Sequence, residues 1–439
     1  MRDPPMERAA SALTAGALEP TLVLAFSGRE QSGTQRRSIP RNGLLLGRGA
    51  DVFDEPFSDE RMSARHADVR LQQGGALLRD LGSGSGTRVN GQLLVGEHAL
   101  AGGDVVRCGD TLFVYALAAP GDAAAETELV GGSAAMIAVR RSVEAVAKRK
   151  HMVVITGETG TGKEVVAHLV HERSQRTGPF IAVNCGTFTE GLLASDLFGH
   201  VRGAFTGAVS EQQGLFRAAR GGTLMLDEVA EIPLPLQSTL LRVLEMREVR
   251  PVGGTRDIAT DVRVITTSNR ELIDLVQAGR FRADLYSRLA QWTIRLPPLR
   301  DRREDLPALI SHLLARCDGH GRSLSPDLAE LLLLHDWPLN VRGLLAVLSV
   351  AVVTSPDGEL LAVTNDVRLM LTTARSTALD PRAHPSFSLD KAELTELMRS
   401  HRGNVAVAAR HLGVTRSRLY RLLCAQAIEP VAFREPRPN

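Results

Sequence analysis

Residues 151–164, HMVVITGETGTGKE, decide the fold of this chain. An apolar run that predicts a strand enters a glycine-rich loop, and a helical pattern follows Lys163. This is the GxxxxGK pattern in the context of strand, loop and helix that it requires, which disfavours a simple glycine-rich turn. Glycines let backbone N–H groups close around phosphates, the helix N terminus adds partial positive charge, and Lys163 can reach the terminal phosphates. The sequence therefore predicts an ATP site with these contacts: Gly157, Glu158, Thr159, Gly160, Thr161, Gly162, Lys163 and Glu164.

A second apolar strand, GGTLMLDE at 221–228, ends in two adjacent carboxylates. Ligands of open α/β sheets bind at the carboxyl ends of the strands, where Asp227 and Glu228 would lie. We predict that Asp227 holds Mg²⁺, through water, and that Glu228 orients the attacking water. Charges commonly end strands, but a pair downstream of a phosphate loop favours catalysis. Glu164 replaces the Ser or Thr that usually contacts Mg²⁺, so that hydroxyl contact is missing.

The flanking sequence predicts a multidomain chain. Strands alternate with helical stretches over 133–316, which indicates a parallel α/β sheet, and 317–371 is helical throughout, as a lid would be. Short strands with glycine-rich breaks and an Asn-Gly hairpin signal predict a β-sandwich over 20–117. A short helical module follows at 388–425. Small, polar linkers occupy 118–132 and 372–387, so we expect that the sandwich can touch the assembled ATPase or a neighbouring subunit's sandwich without a rigid path between them.

Composition excludes several classes of protein. The 44% hydrophobic and 23% charged content is that of a soluble globular protein. The cysteines are scattered and form no CxxC or Cys/His cluster, which argues against a disulfide framework or a zinc site. No segment approaches the ~20 apolar residues of a membrane span, and the N terminus lacks the apolar core of a signal peptide. We therefore predict a cytoplasmic protein.

Residues 133–371 resemble the AAA+ domain of sigma-54-dependent activators, also called bacterial enhancer-binding proteins. The matching segments fall in order: GETGTGKE, PFIAVNC, DLFGHVRGAFTGA, GGTLMLDE, DVRVITTSNREL and FRADLYSRL. The resemblance implies ATP hydrolysis coupled to remodelling of the sigma-54 RNA polymerase holoenzyme, by dimers that assemble into a hexameric ring. It also implies that one loop contacts sigma-54: Gly203, Ala204, Phe205, Thr206, Gly207 and Ala208. The alternative is an ordinary glycine-rich surface loop.

The same resemblance implies roles for five further residues. Asn184 resembles the residue that gates the catalytic glutamate. Ser268 and Asn269 match the sensor at the end of the VRVITT strand, with Ser268 where a Thr is common. Arg282 and Arg288 resemble arginine fingers that reach the neighbouring subunit's nucleotide, a role that suits a planar guanidinium.

The second sensor lies in a segment that departs from the family pattern. Arg342 matches the sensor arginine itself. The family's Gly, Glu and Asn around it are Leu339, Gly343 and Ala346 here. Because glycine inside a helix costs about 1 kcal/mol relative to alanine, we expect a less ordered helix at this point.

The C-terminal segment GNVAVAARHLGVTRSRLYRLL predicts two helices joined by a turn at Gly413. Six arginines and no acidic residue lie between Leu397 and Leu423. This resembles the Fis-type helix-turn-helix, which implies binding to an inverted repeat in double-stranded DNA. The alternative is a basic helical hairpin that docks on the ATPase. The candidate groove-facing residues are Arg416, Ser417, Arg418 and Arg421.

Three segments of 20–117 resemble a forkhead-associated domain: Gly47-Arg48, SARHA at 63–67 and DLGSGSGTRVNG at 80–91. The resemblance implies a β-sandwich that reads phosphothreonine proteins through Arg48 and Ser63. Ala64 stands where a basic residue is frequent, and Gly84-Ser85 replaces the usual Thr-Asn. These departures leave open a docking domain without phosphate dependence.

Together the motifs predict an ATP-dependent transcription activator regulated through its forkhead-associated domain. One alternative is a DNA-binding repressor or scaffold with a vestigial ATPase, which the intact Lys163, Asp227 and Glu228 disfavour. Another is an AAA+ remodeller of a non-transcriptional client, which the basic C-terminal module disfavours.

Overall fold

The computed structural model describes residues 18–27, 35–49, 57–72, 75–118, 129–187, 189–317, 319, 321–356 and 360–377, with Thr395, Met398 and Arg399. The chain divides into two compact units, 1–377 and 378–439, and all elements below belong to the first. The four predicted DNA contacts lie outside the described residues: Arg416, Ser417, Arg418 and Arg421. Within the described ranges, no helix has both the length and the apolar character to cross a membrane.

The N-terminal region is the predicted β-sandwich, built from two antiparallel sheets. One sheet has the order β2-β1-β10-β9-β6-β7 and the other β3-β4-β5-β8. Their inner faces meet in a core that includes Leu24, Val69, Leu78 and Phe113. The strands are β1 Glu19–Phe26, β2 Arg36–Ser38, β3 Leu44–Leu46, β4 Ala67–Gln72, β5 Gly75–Asp80, β6 Thr87–Val89, β7 Gln92–Leu93, β8 Glu97–Leu100, β9 Val105–Cys108 and β10 Thr111–Ala118.

The central strands of the larger sheet are buried on both faces. All four residues of β9 are buried. Val106 and Cys108 point into the sandwich core, whereas Val105 belongs to a second core on the opposite face. A sheet with a solvated face would alternate apolar and polar residues, so a second layer must cover this one.

The α/β subdomain contains a parallel sheet with the order β12-β13-β16-β11-β17. This confirms the predicted P-loop architecture, because the phosphate-loop strand and the carboxylate strand both neighbour the central β16. Its strands are β11 Val153–Thr156, β12 Phe180–Asn184, β13 Thr223–Asp227, β16 Arg263–Ser268 and β17 Trp292–Arg295, with a small antiparallel pair β14 Glu248–Val249 and β15 Ile258–Ala259. Its helices are α1 Ala134–Ala147, α2 Lys163–Glu172, α3 Glu190–Phe198, α4 Leu215–Ala218, α5 Leu234–Met246, α6 Leu272–Gln277 and α7 Ala283–Leu289.

The helical lid begins earlier in the chain than residue 317. Helix α8 (Leu306–Leu314) packs with α9 (Pro326–Leu334), α10 (Asn340–Thr354) and α11 (Asn365–Thr377) in one hydrophobic core. Helix α11 also continues to Thr377, into the segment expected to be a linker.

The second face of the sandwich sheet packs directly on this lid. Val23, Leu112 and Val114 share a single hydrophobic core with lid residues that include Leu309 and Leu328. The expectation that no rigid contact joins the sandwich to the ATPase is therefore wrong. Burial of a continuous apolar surface stabilises this arrangement by about 25 cal/mol for each Å² removed from water.

Two arginines of the sandwich add polar contacts to that interface. Arg107 Nη1 donates to Glu330 Oε2 at 2.6 Å and to Asp327 Oδ1 at 3.0 Å, both in α9. Arg36 Nη1 donates to Gly132 O at 2.6 Å, just before α1. The sandwich thus contacts the lid and the start of the α/β subdomain.

Candidate active site

The phosphate loop follows β11 as predicted and leads into α2 at Lys163. Gly160 has φ +79° and packs against the lid, where a Cβ would lie 2.2 Å from Leu339 O. Only glycine avoids that backbone clash and tolerates that φ value without strain. The loop backbone therefore reaches its conformation and its contact with the lid because position 160 has no side chain.

Lys163 lies inside the site and folds back on the loop. Its Nζ donates to Gly157 O at 2.8 Å and to Glu158 O at 3.1 Å. Burial lowers the pKa of Lys163, and the negative charges of Asp227 and Glu228 oppose that effect. The amine and both carboxylates thus share one electrostatic environment.

The two carboxylates end β13 beside β12, as the sequence predicts. Asn184 lies opposite Asp227 in the parallel register, and its Nδ2 donates to Asp227 Oδ2 at 3.0 Å. Glu228 has φ +54°, in the left-handed region, which is uncommon for a residue with a side chain. This turn redirects the chain immediately after the strand.

Asn184 was predicted to gate the glutamate, and the structure gives it a different hydrogen bond. Its amide donates to Asp227, while its Oδ1 accepts from Gly186 N at 2.9 Å and Thr187 Oγ1 at 3.2 Å. A Cβ at position 186 would lie 3.3 Å from both Asn184 Oδ1 and Glu228 Oε2. Asn184 and Glu228 therefore face a common space beside Gly186.

The sensor residues divide between two sides of β16. Ser268 is buried, and its Oγ bonds Arg270, donating to the carbonyl at 2.6 Å and accepting from the N–H at 3.1 Å. Asn269 is exposed at the strand end. The hydroxyl that reaches the Asp227 carboxylate is that of Thr267, which donates to Asp227 Oδ1. The motif match missed Thr267; the parallel pairing of β13 with β16 was the signal that could have found it.

Of the two predicted arginine fingers, Arg282 immediately precedes α7 and Arg288 lies in its last turn. Arg282 is exposed, and Nε and Nη2 donate to Asp284 at 3.0 and 2.6 Å. Arg288 is half-buried, and its Nη2 donates to Leu244 O at 3.1 Å. Arg282 is thus a solvent-facing guanidinium, whereas Arg288 also fastens α7 to the end of α5.

The lid touches the phosphate loop through the start of α10. Asn340 is fully buried, and its Nδ2 donates to Thr159 O at 3.0 Å and Glu158 Oε2 at 3.2 Å. Arg300 forms a two-pronged ion pair with Glu158 at 2.8 and 2.6 Å, and these hydrogen bonds lower the pKa of Glu158. Lid position and phosphate-loop conformation are therefore physically linked.

The second sensor, Arg342, lies on the first turn of this helix. Arg342 is exposed, and its charge contributes to lowering the pKa of Lys163 after burial, which is the main cause. Helix α10 continues through Gly343 to Thr354. The departures at Leu339, Gly343 and Ala346 do not interrupt the helix.

The GAFTGA loop projects from the α/β subdomain. Gly203 N donates to Ala208 O at 2.9 Å, and Ala208 N donates to Phe205 O at 3.0 Å, which closes a tight turn. Phe205 is 42% exposed and its ring lies 5.0 Å from that of His200. Thr206 is exposed at the tip. The loop presents one aromatic ring and one hydroxyl, as expected.

The predicted phosphopeptide residues meet at one end of the sandwich. Arg48 is exposed, and its backbone N–H donates to Ser63 O at 3.0 Å. Ser63 Oγ accepts from Gly84 N at 3.1 Å. His66 is fully buried behind them, with Nδ1 accepting from Ser63 N at 3.1 Å and Nε2 lying 3.3 Å from Gly86 O. The three motif segments therefore form one preorganised loop cluster.

Asp227 and the phosphate loop fit a Mg²⁺ ion that is bound together with nucleotide phosphates. Among the described residues, no group of three or more His, Cys, Asp or Glu side chains could hold a metal ion. Mg²⁺ is usually bound by one or two carboxylates together with substrate phosphates rather than by an all-protein cage. Asp227 has both oxygens in hydrogen bonds, and each retains a lone pair for a further ligand.

Four family models match successive parts of the chain. Residues 129–295 match a sigma-54 interaction domain and 300–378 an AAA+ ATPase lid domain. Residues 44–109 match an FHA domain and 388–423 a bacterial regulatory protein of the Fis family. These matches confirm the predicted fold of each region.

Three individual relatives each match this chain over more than two thirds of their own length. Transcriptional regulatory protein GlrR of Escherichia coli (strain K12) is 40% identical over 314 residues, 70% of each chain. Response regulator protein PilR of Pseudomonas aeruginosa is 39% identical over 314 residues, 69% of this chain and 70% of that one. The crystal structure of NtrX from Brucella abortus in complex with ATP is 32% identical, with a TM-score of 0.51, covering 69% of this chain and 70% of that one.

Proposed function

The chain belongs to the sigma-54-dependent transcriptional regulators, and we propose that it hydrolyses ATP to remodel the sigma-54 RNA polymerase holoenzyme at promoters. One observation carries this proposal. The charges of Asp227 and Glu228 act on the Lys163 amine at the phosphate loop, while an exposed loop of the same subdomain presents Phe205 and Thr206.

Each site residue has a chemical task in ATP hydrolysis. Backbone N–H groups of the phosphate loop and the ammonium of Lys163 bind the phosphates. Asp227 holds Mg²⁺, which when bound neutralises negative charge on the phosphates. Glu228 orients the attacking water and accepts its proton. The NtrX structure in complex with ATP supports ATP as the nucleotide.

The exposed position of Arg282 suits action in a neighbouring subunit. Within the part of the chain that the structure describes, its guanidinium bonds Asp284 on the surface of its own subdomain, so it can be presented to another copy. Contacts between unlike surfaces close into a ring when the rotation permits. We propose a homo-oligomer, built from dimers into a hexameric ring, in which Arg282 and Arg288 complete the adjacent site.

The remaining partners follow from the two end domains. The Fis-family match over 388–423 supports binding to an inverted repeat in double-stranded DNA. The FHA match supports recognition of a phosphothreonine protein through Arg48 and Ser63, since a guanidinium and a hydroxyl suit a dianionic phosphate. The shared core between sandwich and lid supplies a route from that signal to the ATPase.

Retention of sigma-54 by the full-length protein tests this function. With a transition-state analogue of ATP bound, wild-type protein should retain sigma-54, and Lys163→Ala protein should not. Absence of retention by an assembled, nucleotide-bound wild type would refute remodelling of sigma-54. ATP hydrolysis without that retention would instead favour an AAA+ remodeller of another client, and retention without hydrolysis a vestigial ATPase.

A further inference from the structure

Thr267 occupies the strand position that faces the carboxylates of the nucleotide site. It lies on β16, between the phosphate-loop strand β11 and the carboxylate strand β13, and it pairs with Ile155. Its side chain is fully buried. Because successive side chains of a strand point to opposite faces, Thr267 faces the site while Thr266 and Ser268 point the other way.

One hydroxyl group of Thr267 contacts both carboxylate residues. Thr267 Oγ1 donates to Asp227 Oδ1 and accepts from the backbone N–H of Glu228 at 3.2 Å. A threonine hydroxyl has a single hydrogen and two lone pairs. The contact with Glu228 N therefore leaves the hydrogen for Asp227, and the direction of both bonds is fixed.

These bonds determine how the two carboxylates are presented. Asp227 is held at one oxygen by Thr267 and at the other by Asn184, whose Nδ2 lies 3.0 Å away. Glu228 begins a left-handed turn at φ +54°, and its N–H would have no partner in the strand ladder there. Thr267 thus holds Asp227 directly and Glu228 through its backbone.

We propose that Thr267 is a positioning residue for Mg²⁺-dependent ATP hydrolysis, a proposal that rests on the function above. Its hydroxyl orients the Asp227 carboxylate toward the metal and fixes the turn from which Glu228 extends. Ser268 bonds Arg270 on the other side of the strand and does not supply this contact. Partners of metal-ligating groups typically contribute 10–100-fold to metal affinity or activity.

The test compares three full-length variants with the wild type. Thr267→Val removes the hydroxyl at nearly constant volume, and Thr267→Ser retains it. Thr266→Val is the matched control, since Thr266 is an equally buried threonine on the same strand whose Oγ1 lies 3.5 Å from Val153 O. Binding of a fluorescent ATP analogue is titrated with Mg²⁺, and hydrolysis is measured at saturating Mg²⁺.

We expect Thr267→Val to need about 10–100-fold more Mg²⁺ for half-maximal enhancement of nucleotide binding and to lower kcat by a similar factor. Binding without Mg²⁺ should stay at the wild-type level, which a general folding defect would not allow. Thr267→Ser should restore both values, and Thr266→Val should match the wild type.

Three outcomes would overturn the proposal. These are a wild-type Mg²⁺ dependence in Thr267→Val, a failure of Thr267→Ser to restore it, or an equal defect in Thr266→Val. If Thr267→Val does not fold, comparison of Thr267→Ala with Thr267→Ser decides the same question. Lack of hydrolysis by the wild type would refute the proposed function, whereas the binding titration would still test Thr267.

Discussion

The guanidinium of Arg107 in the sandwich lies 2.6 Å from the carboxylate of Glu330 in the lid, with only 10% and 12% of the two side chains exposed. Removing one partner of such a pair leaves the other charge buried, at a cost of about 2–5 kcal/mol. We expect Arg107→Met to destabilise the protein by this order in thermal unfolding. The double variant Arg107→Met/Glu330→Met should recover most of the loss, because no buried charge is left without its partner and the remaining carboxylate of Asp327 is 78% exposed.

The surface pair Arg79–Glu97 supplies the control for that measurement. Its nitrogen–oxygen distance is 4.0 Å, and both side chains are at least half exposed. Arg79→Met should therefore change stability by less than about 1 kcal/mol. Equal effects of Arg79→Met and Arg107→Met would show that the buried pair does not fasten sandwich to lid.

Mixed subunits should reveal shared active sites. Lys163→Ala and Arg282→Ala should each lose most ATPase activity, and loss of an arginine finger costs about 10³–10⁵-fold. Mixing the two variants should restore part of the activity, because some sites combine an intact Lys163 with a neighbour's intact Arg282. Glu228→Gln should bind ATP and hydrolyse it slowly. No recovery from mixtures that assemble normally would contradict sites completed between subunits.

Thr206→Ala should separate hydrolysis from activation. Thr206 is an exposed tip residue of a loop that contributes no group to the nucleotide site, so ATPase activity should be retained. Sigma-54 retention and transcription from a sigma-54 promoter should be lost in vitro. Thr177→Ala, in an exposed turn before β12, is the matched control. Normal activation by Thr206→Ala would show that the assigned contact is wrong.

Arg48→Ala should weaken binding of phosphothreonine peptides to the full-length protein. A charge-assisted hydrogen bond is worth about 1.5–3 kcal/mol, so we expect roughly a 10–100-fold loss. Arg70→Ala is the control, since Arg70 is an exposed arginine within β4, outside the three motif segments. Titration with each peptide and its unphosphorylated counterpart measures both effects. Equal affinity for the two peptide forms would identify a docking domain instead.

His66 should make the stability of the sandwich pH-dependent. Burial lowers the pKa of His66 below its ordinary value of 6.5, and its Nδ1 must be unprotonated to accept the Ser63 N–H. The folded state therefore binds fewer protons than the unfolded state near that pH. Stability from the neutral ring is fully present above the unfolded pKa and is lost as the pH falls below it.

Melting temperatures of wild type and His66→Gln over pH 5–8 measure that contribution. The melting temperature of the wild type should exceed that of His66→Gln most at pH 8, and this difference should shrink toward pH 5. A difference that grows as the pH falls would mean that the folded protein prefers the imidazolium.

The positions of Lys163, Asp227 and Glu228 in the fold could be predicted because their signals are local. The phosphate loop needs glycines and a lysine in one short run, and the Asp227 strand ends where its apolar residues end. Thr267 was not predictable from the motif, since a shift of one residue along β16 changes the face on which a hydroxyl lies. Thr266, Thr267 and Ser268 all carry a hydroxyl, so the sequence alone does not show which of them faces the site.

The contact between the sandwich and the lid does have a signal in the sequence of two strands. The strands Thr21–Phe26 and Thr111–Ala116 are apolar without alternation, a pattern typical of a sheet covered on both faces. The small, polar composition of residues 118–132 predicts a flexible linker instead. Packing partners distant in the chain, such as Val114 and Leu328, have no local signal that pairs them.

The core shared by sandwich and lid restricts how this chain can be recombined. A gene fusion that exchanged the first 128 residues for another sensor would expose a contiguous apolar surface on the lid. Such surfaces drive aggregation of soluble proteins. The incoming sensor would have to bring a flat apolar sheet and a cation placed opposite Glu330. A fusion at this junction should therefore stay soluble only if the new sensor covers the same face of the lid.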